Sequence, residues 1–156
     1  MPDPAAPRAR APARAQGARR RSRSLALQGL YGWLVGGGDA RDIARHLLTP
    51  EQLARVDEEY FRSLLAGAIA GAEALRARFA PLLDRPVAQL SPIEHGLLLL
   101  ATFELVEHPE VPWKVVINEA VELAKDFGGS EGFRYVNGVL DKVASRIRQD
   151  AETDPA

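Results

Sequence analysis

The sequence predicts an all-α fold, a bundle of about six or seven helices in one domain. Apolar residues recur at spacings of three and four in segment after segment, those segments are bounded by helix-capping and helix-stopping residues, and no convincing run shows the period of two that a strand needs. Apolar residues make up 46% of the 156 positions, enough for the core of a single domain.

Residues 1–18 are dominated by Pro, Ala and Arg without apolar periodicity. Pro2, Pro4, Pro7 and Pro12 work against a stable helix, so this stretch reads as a disordered basic extension. The folded part reads as 19–150, and 151–156 as a short frayed tail. Leu27, Leu30, Tyr31 and Leu34 form the stripe of a first helix that Gly36-Gly37-Gly38 stops. Asp39 caps a short second helix ending near Leu48, before Pro50. Asp57 opens a longer helix with Tyr60, Phe61, Leu64, Leu65, Ala68, Ile69, Ala72, Leu75 and Phe79 on a broad apolar face; Gly67 and Gly71 on it read as places where a neighbouring helix packs closely. Ser91-Pro92-Ile93-Glu94 has the form of a capping box with Pro at the first helical position. The run Leu97–Phe103 that follows is apolar nearly all round, as a central buried helix requires, and is interrupted by Glu104. Pro112 starts a helix carrying Val116, Ile117, Ala120, Val121, Ala124 and Phe127, which Gly128-Gly129 stops. Ser130 caps the last, where Phe133, Val136, Leu140, Val143 and Ile147 make a narrow seam in steps of three and four.

The formal net charge of −1 averages two opposite regions: residues 1–24 carry +6 and residues 25–156 carry −7. A basic arm on an acidic body keeps nucleic acid open as a partner. Several classes are excluded or disfavoured. With no Cys there is no disulfide, thiol nucleophile or Cys-based zinc site. His46, His95 and His108 are scattered, with no HExxH, and read as surface or cap residues. No GxxxxGK[ST] or GxGxxG occurs, and the triple Gly reads as a loop. Glu119 and Glu122 are like-charged neighbours three apart, and no pocket for acid–base work is legible around them. No run reaches the ~20 apolar residues of a membrane span, and the N-terminus has no signal-peptide core. The chain reads as a non-enzymatic binding protein without a cofactor.

The informative cluster is Arg19, Arg20, Arg21 and Arg23, running into an amphipathic segment with Gln28 and Tyr31 in the next turns. The planar guanidinium donates bidentate hydrogen bonds that suit phosphate. Generic attraction to polyanions explains the cluster as well as a specific site does. Tyr31 has two readings: periodicity favours the core stripe, and its neighbourhood permits stacking on an unpaired base.

Three stretches resemble the NusB family of bacterial transcription antitermination factors: the segment from Ala18 to Trp33 (ARRRSRSLALQGLYGW), Asp57 to Gly67 (DEEYFRSLLAG), and Val111 to Gly128 (VPWKVVINEAVELAKDFG), followed by Phe133 to Lys142 (FRYVNGVLDK). The resemblance runs from about Arg19 to Arg148. It implies two packed helical bundles, and a factor that pairs with NusE, a small-subunit ribosomal protein. It further implies binding to single-stranded boxA RNA of nascent transcripts, notably of ribosomal RNA operons, and association with other Nus factors and RNA polymerase to suppress termination. By the same resemblance Arg19, Arg20, Arg21, Arg23, Gln28, Tyr31, Lys114 and Asn118 are expected at the RNA, with stacking now the favoured role of Tyr31. Glu94, Glu131 and Tyr135 are expected at the protein partner; Tyr135 lies off the apolar seam, where exposure is expected, and for Glu131 and Tyr135 contact with RNA stays open beside contact with the protein. A helical RNA-binding module acting mainly in ribosome assembly is the alternative function.

Overall fold

Leu25, Ala26, Leu27 and Leu30 are buried along one side of the first helix, and this apolar stripe fixes the rest of the architecture. The structure, a computed structural model, describes residues 5–127 and 132–153, with side chains over 15–127 and 132–148. The helices are α1 (Ala5–Gly36), α2 (Ala40–Leu47), α3 (Pro50–Leu53), α4 (Glu58–Ala70), α5 (Ala72–Phe79), α6 (Pro92–Glu107), α7 (Trp113–Phe127) and α8 (Gly132–Thr153), with two short 3-10 turns between α5 and α6. No strand occurs among the described residues. The fold is all-α, as the sequence predicts.

α6 is the axis. It packs against α1 and α4 on one side and against α5, α7 and α8 on the other. The first group, joined by α2, and the second make two bundles that share this helix. That double duty explains why Leu97, Leu98, Leu99, Leu100 and Ala101 are all buried although they cover every side of α6. Each such side chain contributes ~1.5–3 kcal/mol relative to exposure. Ser91 caps α6 through the expected box: its hydroxyl accepts the Glu94 N–H at 3.1 Å, and the Glu94 carboxylate accepts the Ser91 N–H at 3.1 Å.

Three boundaries differ from the sequence reading. α1 begins at Ala5, well inside the stretch expected to be disordered, and takes in Pro7 and Pro12. Ala and Arg are strong helix formers, and Pro7 sits in the first turn, where a missing N–H is tolerated. Ala15, Gln16 and Gly17 are exposed, so this part continues the packed Leu25–Leu30 segment rather than making a core of its own. The long helix after Asp57 is two helices, broken at Gly71. Gly67 is the close-packed one: a Cβ there would overlap the Phe103 ring of α6. α3, capped by Thr49 accepting the Gln52 N–H at 3.2 Å, is an extra single turn. Asp39 and Asp57 cap α2 and α4 as expected, and Gly37 and Gly38 end α1 with φ of 71° and 115°, the left-handed region. The expected cap Ser130 lies outside the described residues. Val136, Leu140 and Val143 of the α8 seam are buried.

Candidate nucleic-acid interface

Helical geometry separates the four clustered arginines, because consecutive residues turn by about 100°. Arg20 and Arg21 face outward, Arg19 is half-buried and Arg23 is buried. Gln28 and Tyr31 are exposed farther along α1, and Tyr31, at 43% exposure, is not a core residue despite its place in the apolar spacing. Tyr31 stands eleven residues beyond Arg20, about 16 Å along the helix axis and within about 20° of the same side.

Arg23 does not belong to the solvent-facing set. Its Nε lies 2.9 and 3.1 Å from the two carboxylate oxygens of Glu104, and its Nη2 donates to Oε2 at 2.5 Å. The pair is 6% and 2% exposed at the side chains. Tyr60 of α4 donates its hydroxyl to the same carboxylate at 2.5 Å. The expectation that Arg23 contacts RNA is therefore corrected: its donor fork is spent inside the protein, tying α1 to α4 and α6. Burial works against the Arg23 charge, but the Glu104 hydrogen bonds and charge outweigh it and leave the guanidinium pKa above its ordinary value. Burial, and then the Glu104 bond, push the Tyr60 phenol well above its usual range. Ser22, fully buried beside Arg23, accepts the Asp57 N–H at 2.9 Å and fixes the start of α4 against α1.

Arg19 reaches the surface over this network, with its guanidinium 4.5 Å from the centre of the Tyr60 ring. Arg20 turns the other way, across a groove between α1 and the start of α7. Its Nε and Nη2 donate to the two carboxylate oxygens of Glu119 at 3.0 and 2.9 Å. The Glu119 hydrogen bond and charge raise the Arg20 pKa. Arg19, Arg20, Glu110, Val111, Pro112, Val115 and Glu119 line this groove. Lys114 and Asn118 are both exposed on α7, four residues apart and one position round the helix from Val115 and Glu119. The Lys114 ammonium lies 5.6 Å from the centre of the Trp113 ring. Arg19 and Arg20 of α1 thus line the groove opposite Val115 and Glu119 of α7, while Arg21, Lys114 and Asn118 are exposed outside its lining.

The residues expected at a protein partner are placed less uniformly. Glu94 is half-buried, and its carboxylate takes part in the α6 cap. Glu131 lies outside the described residues. Tyr135 is half-buried and packs on the core, with the Arg85 guanidinium 4.2 Å above its ring. The expected free exposure of Tyr135 is corrected accordingly. Arg85 covers one face, an approach from another segment that spacing along α8 does not encode.

Two groupings escape motif reading. The first is Tyr60 with Glu104. Its signal is present in the sequence, because an acid inside a helix apolar all round must find a buried partner. The second is a chain in which Ser63 Oγ lies 3.1 Å from His108 Nε2, and His108 Nδ1 lies 2.9 Å from Glu110 Oε1. The order is that of an acyl-transfer triad. However, Ser63 sits in the middle of α4, where backbone N–H groups are spent on the helix and none is free to form an oxyanion hole. His108 serves instead as the C-cap of α6, its ring 4.8 Å from that of Tyr60. Among the described residues no group of His, Asp and Glu is arranged to hold a metal ion, and no helix is long and apolar enough to cross a membrane.

Comparison with known proteins agrees with this arrangement. A model of the NusB family matches residues 20–145, from the arginine cluster midway along α1 to the last helix. The transcription antitermination protein NusB of Bordetella pertussis is 55% identical over 140 residues, covering 87% of this chain and 91% of its own. That of Thiobacillus denitrificans is 53% identical over 132 residues, covering 85% and 91%. Among solved structures, T. maritima NusB superposes with a TM-score of 0.76 at 26% identity, covering 86% of this chain and 96% of that one. A crystal structure of the antitermination factors NusB and NusE in complex with dsRNA superposes with a TM-score of 0.75 at 22% identity, covering 81% and 96%, a likeness of fold. With its two bundles about α6 and its arginine cluster midway along α1, the chain belongs to the NusB family of transcription antitermination proteins.

Proposed function

We propose that this transcription antitermination factor pairs with NusE and holds single-stranded boxA RNA of nascent transcripts, notably of ribosomal RNA operons, so that the assembly with other Nus factors and RNA polymerase in the cytoplasm resists termination. The observation that carries the reading is the exposed Arg20 and Arg21 with Arg19 beside them, at a groove between α1 and the start of α7 that Arg19 and Arg20 line. A solved protein of this fold is described in complex with NusE and dsRNA, which supports the pairing of one protein and one RNA partner.

Arginine contacts to phosphate supply salt-dependent affinity. Selectivity for an unpaired strand comes from stacking and base-edge contacts, for which the exposed Tyr31 and Gln28 are suited. The net −7 of residues 25–156 repels RNA from the rest of the surface and attracts a basic ribosomal protein. On that acidic surface Glu94 acts both as cap and as partner contact. Glu94→Gln retains a capping side chain and removes the charge, so it should weaken NusE pairing while leaving the stability of α6 nearly unchanged.

Fluorescence anisotropy at ~0.15 M salt, where surface charge is substantially screened, tests the reading with labelled boxA RNA, a scrambled strand and a duplex, each with and without NusE. BoxA single strand should bind most tightly, and NusE should tighten it further. Equal affinity for all three RNAs would reduce the site to a nonspecific polyanion binder.

A further inference from the structure

We propose that Glu119 is a releasable internal competitor for RNA phosphate, holding the Arg20 fork in the free protein and giving it up on binding. The inference rests on the RNA-binding reading above and deepens it.

The two arginine–carboxylate pairs of α1 use the same chemistry in opposite settings. Arg23 and Glu104 are both buried, and Tyr60 adds a third bond, so that pair is permanent. Arg20 is 64% exposed, whereas Glu119 is 15% exposed. The acid is set in the groove wall and the arginine lies over it, free to swing toward solvent. Both Glu119 oxygens are taken, one by Nε and one by Nη2. That side-by-side pair of donors is the one a phosphate takes, so carboxylate and phosphate exclude each other. Glu122, one turn farther along α7, also acts on the Arg20 charge, but its carboxylate lies 3.5 Å from Lys125 instead.

Two consequences follow. The first is lower affinity than the arginine count implies, because an RNA phosphate displaces Glu119 before it gains Arg20. The second is a shallower salt dependence. Each phosphate neutralised on a single strand contributes about 0.7 to the slope of log affinity against log salt. A carboxylate left unpaired in the complex attracts a cation back and offsets part of that gain. The competition also selects, since a contact able to align with the fork displaces Glu119 and a weakly placed anion does not.

The test is a boxA RNA titration of the full-length protein over a range of salt, with circular dichroism to confirm folding. Glu119→Gln should tighten binding about two- to fivefold, the range that loss of an exposed ion pair allows, and should steepen the salt slope. Glu122→Gln, which removes an equal charge without touching the fork, should do less. In an Arg20→Ala background Glu119→Gln should have no effect. A second measurement leaves Glu119 in place: Arg20→Ala should reduce the salt slope by less than Arg21→Ala. Equal gains from Glu119→Gln and Glu122→Gln, a gain that persists without Arg20, or no gain at all would overturn the proposal while leaving RNA binding intact. Failure of the wild-type protein to bind RNA would overturn the functional reading, and this inference with it.

Discussion

Arg23 of α1 and Glu104 of α6 form a bidentate ion pair sealed from solvent, with the Tyr60 hydroxyl of α4 on the same carboxylate. One network thus locks three helices at the base of the arginine cluster and sets the direction in which the neighbouring arginines leave the surface.

Removing one partner of such a pair strands a buried charge, at a cost of about 3–5 kcal/mol. Arg23→Ala and Glu104→Gln should each lower the unfolding free energy from urea melts by that order, and Arg23→Met with Glu104→Leu should recover much of the loss. Tyr60→Phe, which removes only the hydroxyl, should cost about 1–3 kcal/mol. A loss below about 1 kcal/mol for both charge-removing variants contradicts a structural role and returns Arg23 to the candidates for RNA contact.

Glycine in a helix interior ordinarily costs about 1 kcal/mol relative to alanine, so the sign of a Gly→Ala change reports the space around it. Gly138 on α8 has nothing within 4 Å of an added Cβ, and Gly138→Ala should raise the melting temperature. Gly67→Ala drives a methyl into the Phe103 ring and should cost about 1–3 kcal/mol. Phe103→Leu should be less damaging in the Gly67→Ala background than alone. Stabilisation by Gly67→Ala would show that α4 and α6 are not in this close contact.

His95 is half-buried, with the Arg76 Nε–H donating to its Nε2 at 2.9 Å. Burial first, then the Arg76 charge, hold the His95 pKa below its ordinary value. The unfolded chain therefore binds a proton that the folded one refuses. The associated stability is fully present above the unfolded-state pKa of about 6.5 and is lost as pH falls through it toward the lowered folded value. Unfolding free energy followed between about pH 7.5 and 5 should decline, and His95→Gln should flatten the part due to this residue. An identical decline in both proteins assigns the effect elsewhere.

The legible and illegible parts of the sequence divide on whether information is local. Asp39, Asp57 and the Ser91–Glu94 box mark helix starts because a cap involves residues two or three apart. The buried seam of α8 is likewise written in its spacing. What escapes is which of several like residues faces which partner. Arg21 and Arg23 are indistinguishable as letters, yet one is exposed and the other is enclosed by Glu104, eighty-one positions away. Tyr31 falls on an apolar spacing but lies at the edge of the stripe and is exposed. Arg85 over Tyr135 and Glu119 under Arg20 are contacts between segments far apart in the chain. Glu104 is the exception, a long-range partner announced by its own improbability inside an apolar helix.

In the proposed function Arg19, Arg20 and Arg21 bind RNA while Arg23 builds the surface that presents them. Its most direct test compares the Arg19→Ala/Arg20→Ala/Arg21→Ala variant with wild type by anisotropy on boxA RNA, alongside NusE pairing by calorimetry and a urea melt. RNA affinity should fall by at least tenfold, with NusE affinity and the unfolding midpoint close to wild type. RNA affinity that is unchanged, or that falls only in step with NusE pairing and stability, would show that these three arginines do not carry RNA binding.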